Sequence, residues 1–307
     1  MRTVAIIGGA GFIGSHLFNY FYRRGIYPKI IDISESNNFE NFSSVDILDR
    51  EKLMYELKGV NEVFHLASLV GVDSCLIQEE RLFRTSIEGT INVLDSCIKN
   101  GVEKITFASS SEVYGELTES KMKESGNFKP KSPYGKTKLE CEKILYYYKD
   151  NIQTNIVRFF NVYGEGQRTD FVINKFISSI LNDDFITIYG DGEQTRCFTY
   201  INDAITGMLA AHNYKSIKNY EIFNIGNKNS ISINSLVELL GKIIGKSPKI
   251  HYLEYGNNGV RPREIEVFNR FPDTNKAESL LNFTAKTELQ KGLRNIVRFY
   301  YSNMVNK

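Results

Sequence analysis

No run of this sequence reaches the roughly 18 consecutive apolar residues of a membrane-spanning helix, which argues against a membrane protein. The start, MRTVAIIGG, meets a glycine loop almost at once, where a secretory signal would continue into a longer apolar run. Cysteine is scarce. Cys75, Cys97, Cys141 and Cys197 form no C-x-x-C pair and have no metal-ligand spacing with the four histidines. They read as reduced and structural, and no metal is expected. Neither sign of charge is in excess, since 38 Lys and Arg against 36 Asp and Glu leave a net charge of +2. No basic block stands out, so no nucleic-acid partner is expected. The expectation is a cytoplasmic globular protein.

What is present is alternation. TVAII, YPKIIDI, NEVFHLA, EKITFA and TNIVRFF are short, apolar and rich in β-branched or aromatic residues, as buried strands are. Between them, GFIGSHLFNYFYRRG, REKLMYELKG, residues 79–99 and residues 133–149 read as helices. Strict strand–helix alternation predicts an α/β fold, a Rossmann-like doubly wound parallel sheet. After Phe160 the alternation breaks into shorter segments such as FITIYG, EIFNIG and PKIHYLE. These suggest a smaller, interleaved C-terminal α/β part that binds substrate. The division falls near residue 165, giving a cofactor-binding domain of 1–165 and a second part of 166–307, with the chain returning to the first near 197–226.

The first strand runs into GGAGFIG, with Gly8, Gly11 and Gly14 three residues apart. The first glycine permits a tight turn, the second lets backbone approach a pyrophosphate, and the third lets helix pack on strand. The following helix offers free N–H groups and a positive dipole end to phosphate. Asp32 ends the second strand, 24 residues after Gly8. A carboxylate there accepts from the ribose hydroxyls of adenosine and repels a 2′-phosphate, which favours NAD over NADP. Asp46 and Ile47 follow the third strand, where they would flank the adenine. Phe12, Ile13, Leu66 and Ala67 complete the expected cofactor contacts.

Tyr134 and Lys138, in YGKTK, are spaced i, i+4 and share one helical face. A phenol is a poor base at neutral pH, with a reference pKa of about 10. A lysine ammonium one turn away lowers it, so the phenolate can take a proton from an alcohol as a hydride leaves its carbon. Ser110 ends a strand and can hydrogen-bond the same alcohol oxygen.

With these residues the sequence resembles the extended short-chain dehydrogenase/reductase family, in its nucleotide-sugar epimerase, dehydratase and decarboxylase group. GGAGFIG, FHLAS, SSSEVYG, YGKTK, RFFNVYG and IYGDGEQTRCFTYINDA occur in the family's order and spacing over nearly the whole chain. The resemblance implies a recycled NAD and a nucleotide-diphosphate sugar as substrate. It implies Tyr134 as catalytic base, Lys138 as its partner and a ribose ligand, and Ser110 as the catalytic hydroxyl. It places Ser111 on the substrate, Asn161 on the sugar or its diphosphate, and Arg196 and Arg261 on the diphosphate, a role that suits the planar guanidinium fork. Near Arg261 the chain reads RPRE where the family often has RPGD. A homodimer built from the helices 79–99 and 133–149 is also implied.

Glu112 decides among reactions that share a 4-keto sugar. A 4-epimerase needs no further base. A 4,6-dehydratase needs one for the C5 proton. A uronate decarboxylase lets the 4-keto group receive the electrons of the lost carboxylate. Dehydratases and decarboxylases of the family commonly carry Glu at this position, two residues before Tyr114, so Glu112 leans the reading to a 4,6-dehydratase. A UDP-hexose 4-epimerase is the alternative, a UDP-glucuronate decarboxylase the next, and an NAD-binding regulator on the same fold the non-enzyme reading.

Overall fold

Apolar runs of four to seven residues form the centre of the molecule, a computed structural model describing residues 2–35, 39–70, 78–116, 121–256 and 262–305. The first half alternates: β1 (Val4–Ile7), α1 (Phe12–Tyr22), β2 (Lys29–Asp32), β3 (Phe42–Ser44), α2 (Arg50–Glu56), β4 (Glu62–His65), α3 (Glu79–Lys99), β5 (Lys104–Ser110), α4 (Pro133–Tyr147) and β6 (Gln153–Phe159). The second half continues through β7 (Val162–Tyr163), α5 (Val172–Leu181), β8 (Phe185–Tyr189), β9 (Thr195–Cys197), β10 (Thr199–Tyr200), α6 (Ile201–Asn213), β11 (Tyr220–Ile225), β12 (Ser230–Ser232), α7 (Ile233–Ile244), β13 (Lys249–Leu253), β14 (Asn269–Arg270), α8 (Asn275–Leu281) and α9 (Leu289–Val305).

Seven strands form one parallel sheet in the order β11-β6-β5-β4-β1-β2-β3. The chain winds outward from β1 in one direction and from β4 in the other, which makes the fold Rossmann-like and doubly wound. Successive side chains of a strand face opposite ways. Val4 and Ile6 accordingly enter one core cluster, while Ala5 and Ile7 enter the other. Both faces are covered, as a parallel sheet requires.

The later strands pair in small sheets: β7 with β10, β8 with β13, and β9 between β12 and β14. The chain returns to the large sheet through β11, whose six residues pair with β6 from Tyr220↔Thr154 to Ile225↔Phe159. The segment 262–274 lies over the loop after β5. Met122 N donates to Phe271 O at 2.7 Å, and Asp273 N donates to Met122 O at 2.9 Å. This strap brings β14 to the carboxyl ends of the sheet, where the candidate site lies.

Candidate active site

Between β1 and β4 the winding reverses and the strand ends part, leaving a crevice where open α/β sheets bind ligands. A cavity of about 750 Å³ fills it. Gly8, Gly11, Phe12, Ile13, Gly14, Asp32, Asp46, Ile47, Leu66 and Ala67 all line this cavity. Gly8 has φ +82°, and a Cβ there would sit 2.5 Å from Ala67 N. A Cβ on Gly14 would sit 2.4 Å from Gly8 O. Gly8 and Gly14 are therefore closed to any side chain, and their backbone forms the floor. Gly11 caps α1 with no side chain over the helix end, so the first N–H groups and the dipole remain available to a phosphate. Asp32 is held at the wall by two backbone donors, Ala10 N and Ser34 N, each at 3.0 Å. A carboxylate fixed this way keeps lone pairs for ribose hydroxyls. The cradle fits a dinucleotide.

The next wall is built by β5 and α4. Ser132 caps α4 by accepting from Gly135 N at 3.0 Å, and Pro133 occupies the first turn, so the helix starts just before Tyr134. Tyr134 and Lys138 line the cavity from one face of that helix, with Lys138 Nζ 5.7 Å from the Tyr134 ring centre. Lys138 is buried and donates to Ala108 O at 2.8 Å. Ser110 lines the same wall, its Oγ accepting from Glu112 N at 3.2 Å. Phenol, ammonium and hydroxyl thus converge beside the dinucleotide cradle. Such a group can move a proton on and off an alcohol.

The far end of the cavity carries charge. Glu112 is buried, and its Oε1 lies 2.5 Å from Arg270 Nη1. Its Oε2 accepts from Ser132 Oγ at 3.0 Å. Burial pushes this carboxyl up, but the charge and hydrogen bond of Arg270, joined by the Ser132 hydrogen bond and the charge of Arg196, together leave it lowered from its ordinary value. Glu112 is an ionised counter-ion fixed between the strap and the cap of α4. Ser111, buried, and Asn161 also line the cavity. Asn161 adopts φ +38° and donates to Cys197 O at 3.2 Å.

Arg196 is not on the cavity wall. It is buried, with Nη1 donating to Thr195 O at 2.8 Å and Phe268 O at 3.1 Å, and with Nη2 paired to Glu266. Arg261 and Cys75 lie outside the described residues. Three cavity-lining arginines escaped the sequence reading, Arg81, Arg168 and Arg270. Arg168 pairs with Asp170 at 2.5 Å and donates to Val70 O at 3.3 Å across the mouth. No local spacing announces any of them. The only sequence signal for Arg270 is its place two residues before PDTNKA.

The model of the NAD dependent epimerase/dehydratase family matches residues 4–226. The chain belongs to that family. Over 97% of its length it is 34% identical to a UDP-N-acetyl-α-D-glucosaminuronate decarboxylase of Bacillus cytotoxicus, covering 98% of that relative. Over 99% it is 32% identical to a UDP-glucuronate 4-epimerase of Thermodesulfobacterium geofontis, covering 98%. A solved structure of MoeE5 in complex with UDP-glucuronic acid and NAD superposes with a TM-score of 0.90 at 31% identity, covering 98% of this chain and 99% of MoeE5. The chain is therefore an enzyme of the nucleotide-sugar epimerase and decarboxylase group.

Proposed function

We propose that this enzyme takes a UDP-hexuronate, oxidises it at C4 with bound NAD, and releases C6 as carbon dioxide. The observation that carries the reading is the buried Glu112–Arg270 pair at the sugar end of the cavity. Relatives and neighbours named for uronates support the same substrate class.

The glycine cradle and Asp32 would hold NAD, which would supply the hydride acceptor and donor for C4. Tyr134 accepts the C4 hydroxyl proton, helped by Lys138, and Ser110 hydrogen-bonds the oxygen as it becomes a carbonyl. The C5–C6 bond then breaks, carbon dioxide leaves, and the electron pair passes into the C4 carbonyl. A proton from water replaces C6 at C5. Tyr134 returns its proton to O4 as C4 is reduced again, leaving a UDP-pentose.

The pair suits this sequence of events. A lone arginine beside the C6 carboxylate would stabilise it against loss. Arg270 is already neutralised by Glu112, so the pair can offer N–H donors with little net attraction for the carboxylate. A dehydratase asks the opposite of Glu112, namely an open, basic carboxylate for the C5 proton. The earlier lean to dehydration rested on Glu112 acting that way, and its pairing favours decarboxylation.

The test is incubation with UDP-hexuronates and UDP-hexoses in deuterated water, read by NMR and mass spectrometry. A UDP-pentose with deuterium at C5 and one equivalent of carbon dioxide is expected. A 4-epimer of unchanged mass, or loss of water from a UDP-hexose, would refute decarboxylation. A homodimer through α3 and α4, which pack side by side, belongs to the same proposal, and light scattering reads it directly.

A further inference from the structure

Running back from the cavity wall at Ser109 is a buried polar chain that takes no part in the reaction above. Arg158 of β6 and Glu142 of α4 are 1% and 3% exposed. They meet in a two-pronged ion pair, Nε to Oε1 at 2.9 Å and Nη2 to Oε2 at 2.6 Å. Ser109 Oγ donates to the same Oε1 at 2.5 Å. On the other side Arg158 Nη1 donates to Tyr114 OH at 2.9 Å, and that hydroxyl donates to Asn224 Oδ1 at 2.6 Å. Asn224 Nδ2 ends the chain on Met122 O at 2.8 Å, in the loop after β5, and on Asp273 O at 3.1 Å, in the strap that carries Arg270.

The placement follows from register. Ser109 and Arg158 are paired neighbours in β5 and β6, so their side chains rise from the same sheet face toward α4. Tyr134, Lys138 and Glu142 are spaced i, i+4, i+8 and lie along one side of that helix, about 12 Å from end to end. Lys138 is tied to Ala108 O and Glu142 to Ser109 Oγ, so two successive turns of α4 are fastened to two successive residues at the end of β5. Two fastenings fix both the height and the rotation of the helix over the strand. Guanidinium and carboxylate suit this because a two-pronged pair restricts angle as well as distance.

We infer that Arg158 and Glu142 are positioning residues that set the Tyr134–Lys138 pair against the substrate and hold its register with the strap bearing Arg270. This rests on Tyr134 acting as the base. If the pair were lost, α4 would be free to turn, carrying Tyr134 and Lys138 together out of line with Ser110 and the dinucleotide cradle. The phenolate would then lose the alignment with Ser110 and cofactor that favours it, and the acid limb of the pH–rate profile would shift to higher pH. A misplacement of about 1 Å can lower a rate about 100-fold.

Removing one partner would strand a buried charge, so the test replaces both, as Arg158→Met with Glu142→Leu. Buried ion pairs exchanged for apolar groups of similar volume often leave stability intact. The full-length variant is expected to fold and to keep its NAD affinity and KM within about twofold. Its kcat should fall about 10–100-fold, with the acid limb moved upward. Ser109→Ala, which removes a single hydroxyl, is expected to move the same limb in the same direction. A folded double variant with wild-type kcat and an unmoved limb would overturn the inference, and so would an unmoved limb in Ser109→Ala. Tyr134→Phe is measured alongside. Full activity there would remove the base assignment itself, an outcome distinct from failure of the positioning pair.

Discussion

Exchanging Glu112 for Gln keeps the shape of the side chain and an acceptor for Ser132, and removes one charge. Arg270 is 8% exposed and would lose the carboxylate 2.5 Å from its Nη1. Breaking a buried ion pair costs about 3–5 kcal/mol. A chain of 307 residues unfolds with an entropy of about 2.1 cal/mol/K per residue, or about 0.6 kcal/mol/K in all. The midpoint of thermal unfolding should therefore fall by about 5–8 °C. Replacing both partners, as Glu112→Leu with Arg270→Met, should restore most of that loss.

The kinetic consequence has a sign that separates readings. In the Gln variant Arg270 faces the substrate with its full charge. Unit charges about 5 Å apart attract by roughly 3 kcal/mol at an effective dielectric of about 20. That attraction acts on the C6 carboxylate before carbon dioxide leaves and vanishes as it departs. The variant should bind UDP-hexuronate more tightly and turn it over up to about 100-fold more slowly, so KM and kcat fall together. Isothermal titration and steady-state kinetics on the same preparation read both. A raised KM with unchanged kcat would refute the neutral-pair reasoning, and so would an unfolding midpoint that does not move.

Tyr134→Phe should lower kcat about 10²–10⁴-fold with NAD affinity retained, as measured by turnover and cofactor titration. A variant within threefold of wild type would exclude the phenol as base. Gly14→Ala puts a methyl 2.4 Å from Gly8 O. Because that contact is backbone, the loop must open, and NAD affinity should fall by more than about tenfold; an unchanged affinity would mean the pyrophosphate rests elsewhere. At the opposite end of the sheet, Glu62 meets His212 Nε2 at 2.9 Å and Lys104 Nζ at 3.3 Å. The His212 hydrogen bond, joined by the charge of Lys104 and opposed by burial, holds its carboxyl down at about 2. A depressed carboxyl adds stability that is complete above its unfolded pKa near 4.5 and fades as pH falls toward 2. Glu62→Gln should flatten the acid-unfolding curve over that window, and an unchanged slope would deny Glu62 the role.

The glycine-loop end of the cavity was readable because it is local. Gly8, Gly11, Gly14 and Asp32 sit within one strand–helix–strand unit, and their spacing states the geometry. Tyr134 and Lys138 are readable for the same reason, since helical pitch puts them on one face. The sugar end is not local. Arg270 reaches Glu112 across 158 residues of chain, and Arg168 reaches Val70 across the mouth of the cavity. Periodicity carries no information about such meetings. Arg196 illustrates the converse. Its motif was plain in QTRCF, yet the fold turns its guanidinium to Glu266 and backbone carbonyls rather than to the cavity wall.

Glu112 is the same side chain whether it accepts a proton or balances a charge. Its partner decides which. A base for the C5 proton works best with its pKa raised toward the working pH, which burial without a cation would achieve. Arg270 moves Glu112 the other way, and Ser132 occupies its second oxygen. Dehydration and a tight Glu112–Arg270 pair are therefore physically opposed. Loss of a carboxylate needs no base at C5 and gains from a cation whose charge is already answered. On the decarboxylation proposed above, the strap that delivers Arg270 is the element on which the choice of reaction turns. Substitutions that loosen it at Asp273 or Met122 should alter the distribution of products before they alter the binding of NAD.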